Sequence, residues 1–304
     1  MNPISADPPS DSTNQALRPL APLGDREGTD QRTLVTVIRP ATGMIGINFA
    51  ELWRYRDLLH LLVWRDLSAR YRQSVVGYGW TILKPLLTVC IFTIIFSLTL
   101  RIDTGETPYL LFSLSGLIPW QYFAGSLLGI TSSVTSSANM LSKVYFPRLI
   151  LPLASIAIGV VELGMQLLMM IPLMIWYRVA PGWGLACLPL FVLLSVVTVL
   201  AVGLWLAALN VKFRDVGMAV PFVVQIWMYL CPVIYPLTMI PEKWRPLYCL
   251  NPMVGVVEGV RWSLLGHSSL DLRSVGISWA AMFVLLVGGL LYFRRAEAQF
   301  ADVI

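Results

Sequence analysis

From Leu185 to Leu209 the chain runs through 25 residues without one charge. As a helix, such a run rises about 38 Å, more than the ~30 Å hydrocarbon layer of a bilayer. In water it would have to be wrapped on every side by other protein, whereas in lipid it needs no wrapping. Five more stretches have a similar character: Trp80–Leu100, Tyr109 to about Ile130, Leu149–Tyr177, Val216 to about Val233 and Val275–Phe293. Charged residues make up 13% of the 304 and hydrophobic ones 57%, where a water-soluble domain carries about 25% charged. The expectation is an all-α integral membrane protein of six transmembrane helices occupying residues 80–304.

Its orientation is read from the stretch Trp64–Pro85. Arg65, Asp66, Arg70 and Arg72 come first, then Gly77, Tyr78, Gly79 and Trp80, then Lys84 and the apolar run. Cations at the inner surface, aromatic rings at the headgroups and aliphatics in the core is the order of a chain leaving the cytoplasm. With both termini inside, the inner segments hold twelve Lys or Arg residues and the outer ones six, so both termini are expected in the cytoplasm of a multi-pass inner-membrane protein.

Ahead of the first span, residues 1–32 are rich in Pro, Asp, Ser and Thr and are expected to form a disordered cytoplasmic tail. They contain no apolar core of a cleavable signal peptide. Residues 33–79 are expected to be cytoplasmic, with a short strand at Thr33–Ile38 and an amphipathic interface helix from about Phe49 to Val63. In that helix Leu52, Tyr55, Leu59 and Val63 share a face. A bend is expected near Trp64, and Asp66 and Arg70 have the i, i+4 spacing of a helical ion pair.

Three connections stand out. Thr131–Arg148 is an inner loop rich in hydroxyl residues, and Asn210–Asp215 is a tight inner turn carrying Asn210, Arg214 and Asp215. Cys231–Gly266 is a long outer connection broken by Pro232, Pro236, Pro241, Pro246 and Pro252, yet largely apolar. That combination predicts a re-entrant hairpin between spans five and six, covered by protein. Asn251-Pro252 reads as a helix start, with Glu258 and Arg261 at i, i+3 beyond it.

Polar and aromatic residues inside the spans allow two readings each. Phe92, Phe96, Phe222, Trp227 and Tyr229 would serve either as the stacking lining of a channel or as ordinary packing. Gln225 faces a channel or bonds a neighbouring helix. Glu162 with Gln166 would be a functional intramembrane acid, or a buried packing pair. Arg214 and Asp215 touch a partner or pair locally. The chain has no GxxxxGK[ST] loop for nucleotide phosphates and no acid pair or Ser/His/Asp arrangement for catalysis. Its four cysteines and two histidines are scattered, so neither a metal site nor a cofactor is expected, and its net charge of +5 fits inner loops better than nucleic acid.

Taken in order, these residues resemble the permease subunit of type-2 ABC exporters for lipid-linked polysaccharides such as O antigens, capsules and teichoic acids. The resemblance is carried by Arg65-Asp66 with Arg70-Tyr71, Gly77, Trp80 and Pro85, and by Ser142-Lys-Val-Tyr-Phe-Pro-Arg148. Asn210-Val-Lys-Phe-Arg214-Asp215, Pro221 with Gln225, Pro232-Val-Ile-Tyr-Pro236, Pro241, and Asn251-Pro252 followed by Arg261 complete it. It implies a homodimer paired with two copies of a separate ABC ATPase, which binds the ATP and Mg. It implies a coupling helix touching that ATPase around Asn139, Lys143, Val144 and Tyr145, and outer gate helices with Pro232, Tyr235, Pro241, Asn251, Pro252, Glu258 and Arg261. It also implies a channel lined by spans one and five, and a substrate of undecaprenyl-pyrophosphate-linked polysaccharide. Arg65, Arg70 and Arg72 would attract the pyrophosphate at the inner surface. A small-drug or lipid permease of the same family, and a channel or structural membrane subunit without a motor, are the competing readings.

Overall fold

The computed structural model describes residues 49–72, 76–99, 102, 105, 107–141, 143, 144, 146–266 and 270–297. The expected tail and strand lie outside the described residues. The chain starts with α1 (Phe49–Arg54) and α2 (Arg56–Tyr71), which break at Tyr55. The bend expected at Trp64 is absent, and α2 runs straight through it. The reason is a protein partner: Leu62 sits with Phe146, Ile150, Leu151 and Ala154, and Leu67 is also buried. Trp53, Leu61 and Trp64 are exposed on the other side, so this segment is apolar on more than one face.

Gly77, at φ 55°, turns the chain in a conformation that costs glycine little and leads into α3 (Gly79–Phe92). A π-helical run, Thr93–Thr99, extends it. Next come α4 (Tyr109–Ser136), the single turn α5 (Ala138–Leu141) and α6 (Ile150–Trp176). A 3-10 turn, Trp183–Cys187, opens α7 (Leu188–Lys212), and α8 (Asp215–Tyr229) follows a sharp turn. The short turns Leu237–Met239 and α9 (Arg245–Tyr248) precede α10 (Pro252–Leu265) and α11 (Leu272–Glu297).

Four of these segments are long and apolar enough to cross a membrane: Gly79–Ser97, Ile150–Trp176, Trp183–Lys212 and Leu272–Glu297. Among the described residues the expected count of six is corrected to four. α8, at 15 residues, rises only about 22 Å. α4 has the length but not the composition, because Ser113, Ser115, Gln121, Ser126, Thr131 and Ser133 are spread along it. Its packing explains the polarity: α3, α6, α7, α8 and α10 all contact it, and most of its residues are buried. The hydroxyls of Ser113, Ser115, Thr131 and Ser133 donate to carbonyls one turn back at 2.7–2.9 Å, which removes most of the cost of burying them.

Small residues let the helices approach this central rod. Gly159 of α6 lies against the Ser126 hydroxyl and the Tyr122 ring of α4, and Gly203 of α7 against Ile130. On the far side of α7, Trp205 fills the space above Gly288 and Gly289 of α11, donates to the Leu285 carbonyl at 3.0 Å and stacks on Tyr292.

The expected re-entrant hairpin is not found among the described residues. Between α8 and α10 the chain makes turns, and Pro232, Pro236 and Pro241 keep a helix from propagating. Buried carbonyls there are satisfied by side chains instead: Tyr109 donates to Ile234 at 2.8 Å, and Arg261 donates to Pro232 and Val233 at 2.6 and 3.2 Å. Cys231 and Cys249 are buried free thiols.

Candidate functional site

The residues expected to line a channel divide into two groups. Phe222, Gln225 and Tyr229 recur at three and four positions and are all exposed, with Met218 continuing the stripe. This is one face of α8, and Phe222 keeps 67% of its surface. The opposite face is the anchored one: Val220 and Val224 are buried, and Trp227 meets Phe123 of α4 edge-on at 5.3 Å. Trp227 is therefore a packing residue. Phe92 and Phe96 form an edge-on pair at 5.8 Å, half-buried against the core.

The three arginines expected to meet a pyrophosphate are exposed, and two of them stand in ion pairs. Arg65 is paired with Asp66 at 2.7 Å, and Arg70 reaches across to Glu162 of α6 at 2.5 Å. The i, i+4 pair expected between Asp66 and Arg70 gives way to these two. Glu162, which the sequence set beside Gln166, thus has a cation 92 positions away in the chain. The Arg70–Glu162 pair stands where two polar cavities meet. One, of about 560 Å³, includes Arg65, Asp66, Ser126, Ser132 and Ser136 in its wall. The other, of about 480 Å³, is bounded by Trp80, Thr81, Lys84, Gln121 and Gln166.

In α10, the Arg261 guanidinium is 3% exposed and gathers the surrounding chain. It donates to the Glu258 carboxylate at 2.6 Å and to the carbonyls of Pro232, Val233 and Phe112, and lies 3.8 Å from the Phe112 ring centre. Asn251 caps the helix: its side-chain oxygen accepts from the Met253 amide at 3.1 Å, while its nitrogen donates to Leu230. Pro252 follows as the first helical residue, where its missing N–H is harmless. Tyr235 donates to the Tyr229 carbonyl at 2.8 Å and is 3.0 Å from the Tyr248 hydroxyl. Pro241 stands exposed at the start of a turn. Arg261, Asn251 and Tyr235 thus each bond to a backbone carbonyl between positions 229 and 233.

At the other end, Asn139 lies in α5, and Lys143 and Val144 are exposed just beyond it; Tyr145 lies outside the described residues. Arg148 donates to the Glu297 carbonyl at the end of α11, where a cation complements the helix dipole. Asn210 is buried and donates to the Thr131 carbonyl at 2.8 Å, locking α7 to α4. Arg214 and Asp215 are exposed, and among the described residues neither is in an ion pair. Asp271 caps α11, accepting from the Arg273 amide at 3.1 Å and the Ser274 hydroxyl at 2.5 Å. The Ser274 bond holds its carboxyl below the usual carboxylate range. Among the described residues no group of His, Cys, Asp and Glu gathers where a metal ion could sit.

Residues 57–265 match the family described as ABC-2 type transporter. The chain is 33% identical over 256 residues to the O-antigen export system permease protein RfbA of Myxococcus xanthus, covering 84% of this chain and 98% of that one. A Klebsiella pneumoniae protein of the same name is 30% identical over 82% of this chain and 95% of its own length. The polysialic acid transport protein KpsM of Escherichia coli is 24% identical over 77% of this chain and 92% of its own.

Proposed function

The chain belongs to the ABC-2 type transporter family as a permease subunit related to the O-antigen and polysaccharide exporters, and from that premise we propose that it carries an undecaprenyl-pyrophosphate-linked polysaccharide, O antigen, outward across a bacterial inner membrane. It is an all-α multi-pass membrane protein without a nucleotide-binding loop. Two copies of a separate ABC ATPase supply ATP and Mg binding and hydrolysis, and both termini lie on the cytoplasmic side. The helical segment of residues 49–72 lies at the cytoplasmic interface, and residues 80–304 form the transport domain.

The observation that carries the reading is the exposed α8 stripe, Phe222, Gln225 and Tyr229, on a helix anchored along its other side. In a homodimer two such stripes face each other, with Phe92 of α3 and Phe96 of the π-helical run that extends it nearby. Aromatic faces grip the C–H surfaces of sugars without a fixed hydrogen-bond register, so a polymer can slide between them. Asn139, Lys143, Val144 and Tyr145 take the push of the ATPase, and Asn210, Arg214 and Asp215 form the neighbouring inner turn. The Arg261 assembly holds the outer gate. Arg65, Arg70 and Arg72 draw the pyrophosphate to the inner surface.

Deletion of the gene tests this. The expected result is lipid-linked glycan accumulating on the cytoplasmic side and a surface stripped of it, with export restored by the wild-type gene but reduced by Phe222→Ala. A deletion strain with its full surface glycan would refute the reading.

A further inference from the structure

Gly164, Leu168, Ile171, Ile175 and Arg178 recur at four and three positions, the spacing of one helix face, and all of them line a groove of about 830 Å³. Leu185 and Leu264 belong to the same wall, in which Arg178 is the one charged residue among those described. The floor is open at Gly164, where an added Cβ meets nothing within 4 Å. Leu168, Ile171 and Ile175 are exposed, so this face of α6 is turned toward lipid rather than toward α4.

Its length matches half a bilayer. α6 packs on α2 at its start, where Ile150, Leu151 and Ala154 meet Leu62, so Arg178 stands at the opposite membrane surface. With 27 residues the helix rises about 40 Å, which puts Gly164 near its middle. From there to Arg178 the rise is about 21 Å, against ~20–22 Å from the bilayer midplane to the outer limit of the headgroups. Trp176, Tyr177 and Trp183 are exposed close to Arg178 in the chain, the composition of an aromatic belt at the headgroups.

Arg178 also holds a costly conformation. Its amide donates to the Ile175 carbonyl at 3.2 Å and the Val179 amide to Met174 at 3.0 Å, the paired bonds of a Schellman helix end. The residue between them is left-handed, here at φ 56°, where glycine is at ease and a side chain strains the backbone. An arginine thus stands where the backbone alone favours glycine. It is exposed, and among the described residues it is in no ion pair.

We propose that this groove binds one anionic phospholipid of the surrounding bilayer, with an acyl chain along the α6 face down to Gly164 and the phosphate on the Arg178 guanidinium. Charge selects the occupant. A guanidinium presents a planar fork of donors that matches phosphate oxygens, and no carboxylate in the described wall meets it first. A zwitterionic headgroup brings its own cation and gains less from the arginine. The site lies at the membrane surface opposite α2 and its arginines, and it is independent of what the chain exports.

The test is native mass spectrometry of the full chain in detergent, titrated with palmitoyl-oleoyl phosphatidylglycerol or with the matching phosphatidylcholine. The first phosphatidylglycerol should add saturably and about fivefold tighter than the first phosphatidylcholine, the worth of one interfacial cation. Arg178→Gln should erase that preference and leave phosphatidylcholine binding as it was, whereas Arg178→Lys should keep most of it. Gly164→Leu, which fills the floor, should weaken both lipids. Arg178→Gly relieves the backbone, so it should melt no lower than wild type in lipid-free detergent while losing the preference. That combination separates a lipid contact from a structural role of the arginine. The proposal is overturned if the wild type binds the two lipids alike, if Arg178→Gln keeps the preference, or if Gly164→Leu binds both lipids like wild type. A change of oligomeric state in Gly164→Leu with lipid binding intact would give the groove to a second copy of the chain, and would overturn it too.

Discussion

Replacing Arg261 with alanine is expected to cost the protein about 4 kcal/mol or more. The guanidinium is buried, and Glu258, its partner at 2.6 Å, is itself 80% covered, its side chain being 20% exposed. Removing one member of a buried ion pair costs ~3–5 kcal/mol, because the other charge stays behind in a poorly polarisable setting. The carbonyls of Pro232 and Val233 also lose their donor, at ~1–3 kcal/mol for each buried group left without one. The Phe112 carbonyl adds little, since the Ser115 hydroxyl still donates to it at 2.8 Å. Water entering the new cavity would recover part of the loss, which places the net figure just below the ~5 kcal/mol minimum of the sum, at about 4 kcal/mol. At ~2–4 °C per kcal/mol, the melting temperature in detergent, followed by size-exclusion fluorescence, should fall by about 8–16 °C. Arg261→Lys keeps the charge but not the planar fork and should lie between. Glu258→Leu combined with Arg261→Leu should be milder than the sum of the two singles, because neither charge is stranded. An Arg261→Ala protein melting within two degrees or so of wild type, or strictly additive singles, would refute the reasoning.

Two further outcomes follow from single contacts. Asp271→Ala should loosen the start of α11 by about 0.5–1 kcal/mol, the low end for an N-cap because the residue is exposed, and amide exchange at Arg273 and Ser274 should speed up. The depressed carboxyl of Asp271 means its stabilisation is complete above the ordinary aspartate range and lost as pH falls through the lowered folded value. Unchanged exchange across that acid range would remove the cap from the argument. Gly159→Val places a side chain against the Ser126 hydroxyl and the Tyr122 ring and should cost about 1–3 kcal/mol as overpacking. Gly164→Val, one turn further along α6 with nothing within 4 Å of its added carbon, should melt like wild type. Equal effects of the two valines would contradict the packing described.

The apolar spans were legible where lipid or bulk burial decides. Leu149–Tyr177 was expected and Ile150–Trp176 is found; Leu185–Leu209 became the core of Trp183–Lys212, and Val275–Phe293 that of Leu272–Glu297. α4 was misjudged because its last turns, Thr131 to Ser136, read as a polar loop, yet their hydroxyls bond back to the helix carbonyls and the helix continues. α8 was judged too long because the apolar run into Val233 continues after the helix has ended at Tyr229. The candidate sites were harder. The i, i+3 neighbours Glu258 and Arg261 were visible as spacing, and Asn251-Pro252 as a helix start, since both are local. The Arg70–Glu162 pair and the Gln121–Gln166 contact were not. Only a signal joining positions 92 and 45 residues apart could have found them.

Composition along the chain was enough to place this protein in a membrane, and the order of its motifs pointed to its family. Transfer into lipid is a sum over consecutive residues, so it can be read without knowing the fold. Tertiary structure alone decided which polar groups meet. It gave Glu162 to Arg70, turned Trp227 inward and Phe222 outward on one helix, and set the Gln166 amide beside Gln121. A hydrogen bond or ion pair depends on distance and direction between atoms far apart in sequence, and those quantities exist only once the helices have packed.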